Sequence, residues 1–357
     1  MTPPPATCTP AAIERLCQIT APYGASADGD HALFSVAMQE ADDWHRARNP
    51  TYAALWDDDQ RPLIPVGLLK RVALGTPVPG DGLWLSSSGT GQNGAASVRF
   101  DATSLKRIEQ GMRQIFFQAK MVSATPARFL LLSPDPRRRS QPGYATSFLR
   151  FTACAPSAEI VFAVDDDGRF VPDLAWQTLA CWGTESVPIF LFGLTVYFEY
   201  LALSAPLQPV PACVTVRGLT GGGWKGMTRQ LERSQIVARL ASALGGTAAL
   251  DLRDIFGMTE HPLHYISCEH GRFHIPRYSR LAIMAAEGGL AAPGERGLIR
   301  LQNPFFASLP SHDLLTEDLG RMGEGCACGC ARPWLEFLGR AGDANATCAG
   351  RASSAAA

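Results

Sequence analysis

Three short segments bring together residue types suited to holding a magnesium–nucleotide complex. Leu252-Arg-Asp-Ile-Phe-Gly-Met-Thr-Glu260 offers an aromatic ring, Phe256, that can stack on adenine, followed by the compact Gly257-Met258 step. Its carboxylate Glu260 can hold Mg²⁺ on phosphates, Thr259 can donate to a phosphate oxygen, and Asp254 can reach the adenine amine. Leu315-Thr-Glu-Asp318 adds Asp318 for ribose hydroxyls, and Leu338-Gly-Arg340 adds a cation, Arg340, to face the nucleotide. Each piece alone has a bland reading. Glu260 would be a solvated helix-end carboxylate, Asp318 a turn former and Arg340 a surface-paired arginine. The ordered set is more specific than any one of them.

Two glycine-rich stretches could serve the same ligand. Ser86-Ser-Ser-Gly-Thr90 supplies hydroxyls and approachable backbone N–H groups through Ser87, Ser88, Gly89 and Thr90, although no Gly-Lys-Ser/Thr follows as in a Walker loop. Read alone it is a surface turn. Gly221, Gly222 and Gly223 permit close backbone approach to a base, or merely a tight turn before the next helix. Lys225, just beyond, is one of only four lysines (with Lys70, Lys106 and Lys120) against 28 arginines, and could stabilise charge on an α-phosphate. Cys268 and His274, with Cys326 and Cys328, form a Cys-x5-His…Cys-x-Cys set of soft ligands suited to tetrahedral zinc. Metal-free buried and loop thiols are the alternative; His270 could replace His274, and Cys330 is spare. Asp165-Asp-Asp-Gly168 and Asp57-Asp-Asp59 lack calcium-loop spacing and read as solvated turns, and Arg137-Arg-Arg139 reads as a surface loop.

The three nucleotide segments, in this order and at similar separations, resemble those of enzymes that activate a carboxylic acid as an acyl adenylate. Ser86–Thr90 is similar to the phosphate loop of that superfamily, departing from it at Gly91-Gln-Asn-Gly94, and Gly221–Lys225 stands where its small-residue loop stands. Ile64-Pro-Val-Gly-Leu-Leu-Lys70, Phe190-Leu-Phe-Gly-Leu-Thr195, Cys268 with Gly271-Arg-Phe-His274, and Cys348 narrow the resemblance. It points to acyl-protein synthetases of the bacterial bioluminescence fatty acid reductase, relatives of phenylacetate–CoA ligases, over residues from about 60 to 350. The resemblance implies ATP and Mg²⁺ as cofactors, an acid substrate of the fatty class and a reductase as acyl acceptor. It also implies acyl transfer to Cys348 as a thioester. A thiolate is a strong nucleophile and an acyl adenylate has an excellent leaving group. Eight residues from Arg340 allow a reach of about 26–29 Å if extended. Without that context, a tail thiol is inert.

The elements that must position these groups alternate. Residues 11–55 carry apolar residues at helical spacing, Leu83–Leu85 reads as a strand into the Ser/Gly loop, and Ser104–Ala119 as an amphipathic helix. Strands are expected at Phe129–Ser133, Ile160–Val164, Ile189–Phe192 and Val214–Arg217. Helices are expected at Leu174–Trp182, Tyr197–Leu203 and Thr228–Leu244, the last stopped by Gly245-Gly246. Short strands at Leu281–Ala285, Leu298–Gln302 and Leu335–Leu338 follow. The expected class is α/β: the large N-terminal domain of an adenylate-forming enzyme, lacking the usual C-terminal domain. The expected division is a frayed 1–10, an α/β nucleotide- and acid-binding region 11–260, a small β-rich subdomain 261–341 and a mobile tail 342–357. Only 17 residues follow Arg340, none of them lysine, a shortening the resembled family shares.

A net charge of -1 with 46% hydrophobic residues gives no reason to expect nucleic acid or an anionic membrane as partner. Ten cysteines behind a Met1-Thr-Pro-Pro-Pro start without an apolar leader argue for the cytoplasm. The apolar run Pro188–Leu207 reads as a strand, a turn and a buried helix, with Glu199 inside it, in place of a membrane span. The expected activity is ATP-dependent acyl-adenylate formation followed by capture on Cys348. Three rivals remain at this point: an aryl- or small-acid adenylating enzyme with Cys348 idle, a non-catalytic nucleotide-binding subunit of a reductase, and a structural zinc-containing module without ATP affinity.

Overall fold

The computed structural model describes residues 11–24, 29–86, 97–138, 143–210, 213–223, 229–246 and 250–341. Helices α1 (Ala11–Cys17), α2 (Asp30–Arg48) and α3 (Pro50–Ala53) open the chain, followed by β1 (Ile64–Pro65) and α4 (Val66–Leu69). A hairpin of β2 (Gly82–Ser86) and β3 (Ser97–Asp101) leads into α5 (Ala102–Gln118). Then come β4 (Ala127–Leu132), α6 (Gly143–Thr152), β5 (Ser157–Phe162), α7 (Pro172–Trp182), β6 (Ile189–Leu194) and α8 (Thr195–Leu203). The series ends with β7 (Val216–Gly221), α9 (Arg233–Ala243), β8 (Leu250–Met258) and β9 (His261–Ile266). A run of strands closes the described chain: β10 (Phe273–His274), β11 (Arg280–Met284), β12 (Gly297–Gln302), β13 (Asp313–Gly323) and β14 (Trp334–Arg340).

The first large sheet has the order β5-β4-β6-β7-β8-β9. Its strands are parallel up to β8, and β9 returns antiparallel. Every residue of β6 is buried, the signature of a strand covered on both faces by helices. Helix α5 begins where Asp101 accepts from the N–H groups of Thr103 and Ser104 at 3.0 and 3.3 Å. It buries Ile108, Met112, Ile115 and Phe116 along one stripe. The second sheet has the order β10-β14-β13-β12-β11, with β1 added in parallel to β13. In β12, buried and half-buried residues alternate, as expected when one face meets a core.

Strand β8 joins the two hydrophobic interiors. Ile255 packs against the large core of the parallel sheet, whereas Phe256 enters the smaller core with Tyr265, Phe273, Leu301 and Phe337. The side-chain alternation of a strand sends consecutive residues to opposite faces. The expected division at residue 260 therefore falls in the turn of the β8–β9 hairpin, whose second strand belongs to the first sheet.

Most expected elements are found, with informative differences. The helix expected over Thr228–Leu244 starts at Arg233, where Glu232 and Gln235 form a reciprocal capping box. The strand expected at Val214–Arg217 runs on to Gly221. The apolar run Pro188–Leu207 is strand β6 passing directly into α8. Glu199 in it is fully buried and accepts from the N–H groups of Gln230 and Leu231 at 2.9 and 2.6 Å. No helix among the described residues is long and apolar enough to cross a membrane.

A buried polar network ties the N-terminal helices to the second sheet. His312 Nε2 lies 2.8 Å from Asp42 Oδ1, Arg61 grips the same carboxylate, and the His45 and His312 rings stack at 5.1 Å. Burial pushes His45 well below the usual imidazole range, so its ring is neutral and bridges Thr76 Oγ1 and the Phe306 carbonyl. The expectations for residues 1–10 and 342–357 lie outside the described residues.

Candidate functional site

In an open parallel sheet, ligands bind beyond the carboxyl ends of the strands. Strand β7 ends there in Gly221, and Gly222 and Gly223 follow with φ of 71° and 65°, a backbone path that side-chained residues rarely take. Next to it, β8 carries the Phe-Gly-Met-Thr-Glu segment into its turn. A Cβ on Gly257 would collide with the His264 ring on the paired strand, so glycine is required for that packing.

Glu260 sits in the β8–β9 turn and is only 4% exposed. Burial raises its carboxyl above the usual range, against the pull of Lys70 and Arg340. Asp318 and Arg340 face each other as register partners on β13 and β14. Burial pushes Asp318 up to about 6; Arg340 opposes the shift, while Glu317 and Glu260 reinforce it. Arg340 Nη2 donates to Glu317 Oε2 at 3.3 Å, and its Nε lies 4.0 Å from Asp318 Oδ1. Glu260, Asp318 and Arg340, distant in sequence, thus share one electrostatic neighbourhood.

Two members of this cluster had no role in the sequence reading. Lys70 has a side chain only 3% exposed and places Nζ 3.4 Å from Glu317 Oε2. It arrives there because β1 pairs in parallel with β13, Ile64 beside Leu314 and Pro65 beside Leu315, and α4 carries the chain on to Lys70. Glu317 precedes the aspartate to which the sequence assigned a ligand. The sequence signals for Lys70 were the scarcity of lysine and its place at the end of the Ile64–Lys70 segment.

Other candidates take different positions. Asp254 is 6% exposed on β8, and burial pushes it up to about 7 despite the Arg233 guanidinium 3.3 Å away. Phe256 stands in the smaller core: its ring is 5% exposed and neighbours Tyr265, Phe273 and Phe337 at centroid distances of 6.1, 5.9 and 5.4 Å. Met258 pairs with His261 across the hairpin, and Thr259 is half-buried in the turn. Ser87, Ser88, Gly89, Thr90, Lys225 and Cys348 lie outside the described residues.

The four candidate zinc ligands converge. The ligand atoms of Cys268, His274, Cys326 and Cys328 all lie within 4.8 Å of one another. Cys268 and Cys326 Sγ are 3.7 Å apart, which matches the edge of a tetrahedron with Zn–S bonds of about 2.3 Å. His274 Nε2 lies 3.1 Å from Cys328 Sγ, and its Nδ1 lies 3.1 Å from the Arg332 carbonyl. A proton on Nδ1 donated to that carbonyl leaves Nε2 as the ligating atom. Burial, reinforced by Cys326 and Cys268, pushes the Cys328 thiol up to about 12.

Residues 187–356 match the family model described as acyl-protein synthetase, LuxE. None of the curated proteins matches the chain in sequence. Among solved structures, 2-hydroxyisobutyryl-CoA ligase in its postadenylation state superposes with a TM-score of 0.65 at 14% identity, over 87% of this chain and 67% of that one. The same ligase in the thioesterification state gives 0.65 at 14% identity, over 95% and 72%. A long-chain-fatty-acid-CoA ligase from Archaeoglobus fulgidus gives 0.52 at 13% identity, over 72% of this chain and 51% of that one. The chain shares the fold of 2-hydroxyisobutyryl-CoA ligase over the part covered, and the expected α/β class is met.

Proposed function

We propose that this chain, whose residues 187–356 match the acyl-protein synthetase family model, is an acid–thiol ligase that activates a carboxylic acid as its acyl adenylate. The observation that carries the reading is the meeting of Glu260, Asp318, Arg340 and Lys70 in one charged cluster beside the Phe-Gly-Met-Thr-Glu turn. In this reading a carboxylate oxygen of the acid attacks the α-phosphorus of ATP. The bond to the bridging oxygen breaks, pyrophosphate leaves, and a mixed anhydride remains. Asp318 takes the ribose hydroxyls, Lys70 and Arg340 face the phosphates, and Glu260 holds Mg²⁺. The donor set suits that ion: Glu260 is a buried carboxylate with no ion pair among the described residues, and Mg²⁺ would neutralise charge on the phosphates.

The acyl group then passes to the Cys348 sulfur, with loss of AMP, and on to an acceptor protein such as a reductase. A fatty acid is the substrate class, by analogy with the family. Acid-dependent pyrophosphate release, screened over fatty, aryl and amino acids, tests the first half. No release with any acid would leave a nucleotide-binding scaffold as the better reading. Mass analysis of wild type against Cys348→Ser tests the second half: acylation absent from both would favour a small-acid adenylating enzyme. We also assign one structural zinc to Cys268, His274, Cys326 and Cys328, supported by the tetrahedral Sγ separation and the orienting Arg332 carbonyl.

A further inference from the structure

We infer that Glu317 is a positioning residue which holds the Lys70 ammonium and the Arg340 guanidinium on its own carboxylate and so keeps Glu260 and Asp318 open for magnesium and ribose. The inference rests on the nucleotide site proposed above. One oxygen, Oε2, accepts from Lys70 Nζ at 3.4 Å and from Arg340 Nη2 at 3.3 Å. Its main chain is fixed as well, since the Ala341 N–H donates to the Glu317 carbonyl at 2.8 Å. Both cations therefore converge on a single point of β13. Neither neighbouring carboxyl is in close contact with a cation: Asp318 has Arg340 only at 4.0 Å, and Glu260 has no ion pair among the described residues.

This distribution is not what pairwise attraction alone would choose. Glu317 is 31% exposed at its side chain and could be satisfied by water, whereas Glu260 and Asp318 are more deeply buried and would gain more from a cation. Without the Glu317 charge, the lysine, almost wholly buried and unable to reach bulk water, would turn to Glu260, and Arg340 would close on Asp318. Each new pair would have to be broken before a metal ion or a ribose could bind.

The test is a double-mutant cycle on the full-length chain, using Glu317→Gln and Lys70→Met. It reads MgATP affinity by calorimetry with a non-hydrolysable ATP analogue, and KM for ATP against kcat in pyrophosphate release. Glu317→Gln should raise the ATP KM and the analogue Kd by about three- to tenfold with kcat within about twofold. In the Lys70→Met background the same change should have a clearly smaller effect, because nothing is left to collapse on Glu260. Unchanged or tighter binding in Glu317→Gln, or effects that simply multiply in the double variant, would overturn the inference while leaving the nucleotide site standing. A wild-type chain that binds no analogue would overturn both. Circular dichroism of Glu317→Gln confirms that the comparison is made between folded proteins.

Discussion

At the scale of single residues, the buried acids are the most revealing groups. A carboxyl that burial holds above its ordinary range binds its proton more tightly in the folded chain than in the unfolded one. Its contribution is therefore favourable below the unfolded value and is lost as pH rises through the folded value. For Asp254 that window runs from 3.8 to about 7. Asp254→Asn should accordingly gain on wild type throughout that window, melting at least about 2–4 °C further above it at pH 8 than at pH 5, as followed by thermal unfolding. A constant difference across both pH values would show that Arg233 and solvent already compensate the charge. Sequence reasoning singled out Glu260, Asp318 and Arg340 because they stand in short recognisable segments. It quoted Lys70 and Glu317 within such segments but gave them no role, because their meeting comes from β1 lying beside β13.

At the scale of elements, β8 and the end of α5 carry distinct expectations. Phe256 is core, so Phe256→Ala should cost about 3–5 kcal/mol and lower the melting temperature by at least about 6 °C. A ring used to stack on adenine would instead weaken ATP binding with little loss of stability, and measuring both quantities separates the roles. Lys120 follows α5 with φ of 58°, and the Met121 N–H closes back on the Phe116 carbonyl at 2.8 Å. Glycine is the usual occupant of that position, so Lys120→Gly should stabilise by about 1 kcal/mol in denaturant titration. Helices and strands with clear periodicity were legible from sequence; β8 and β13 were read as motifs instead, because their chemistry masked their strand pattern.

At the scale of the whole molecule, the Cys/His quartet joins the segment after β9 to the connection between β13 and β14. A metal there would bind tightly only with thiols deprotonated, and thiols raised by burial must release their protons to it. Chelation, or Cys328→Ser, should lower the melting temperature by several degrees, and elemental analysis of the purified chain should give about one zinc per molecule. Retention of full thermal stability after complete zinc removal would leave the quartet as a metal-free thiol cluster. The buried His45–His312–Asp42 network joins the N-terminal helices to the second sheet through hydrogen bonds and ring stacking.

The sequence by itself determined what local physics can encode: the alternating α/β layers, the strand-rich C-terminal region, the helix stop at Gly245-Gly246, and the residue types suited to nucleotide and zinc. Periodicity, caps and ligand chemistry all act over a few residues, so one chain read in order contains them. Tertiary structure decided the rest. Only the parallel pairing of β1 with β13 brings Lys70 to Glu317, and only the alternation of β8 between two cores turns Phe256 inward. Only packing, through burial and neighbouring charges, raises the carboxyls of Asp254, Glu260 and Asp318. Such effects depend on distance and solvent access between remote segments, quantities that come into being when the chain packs.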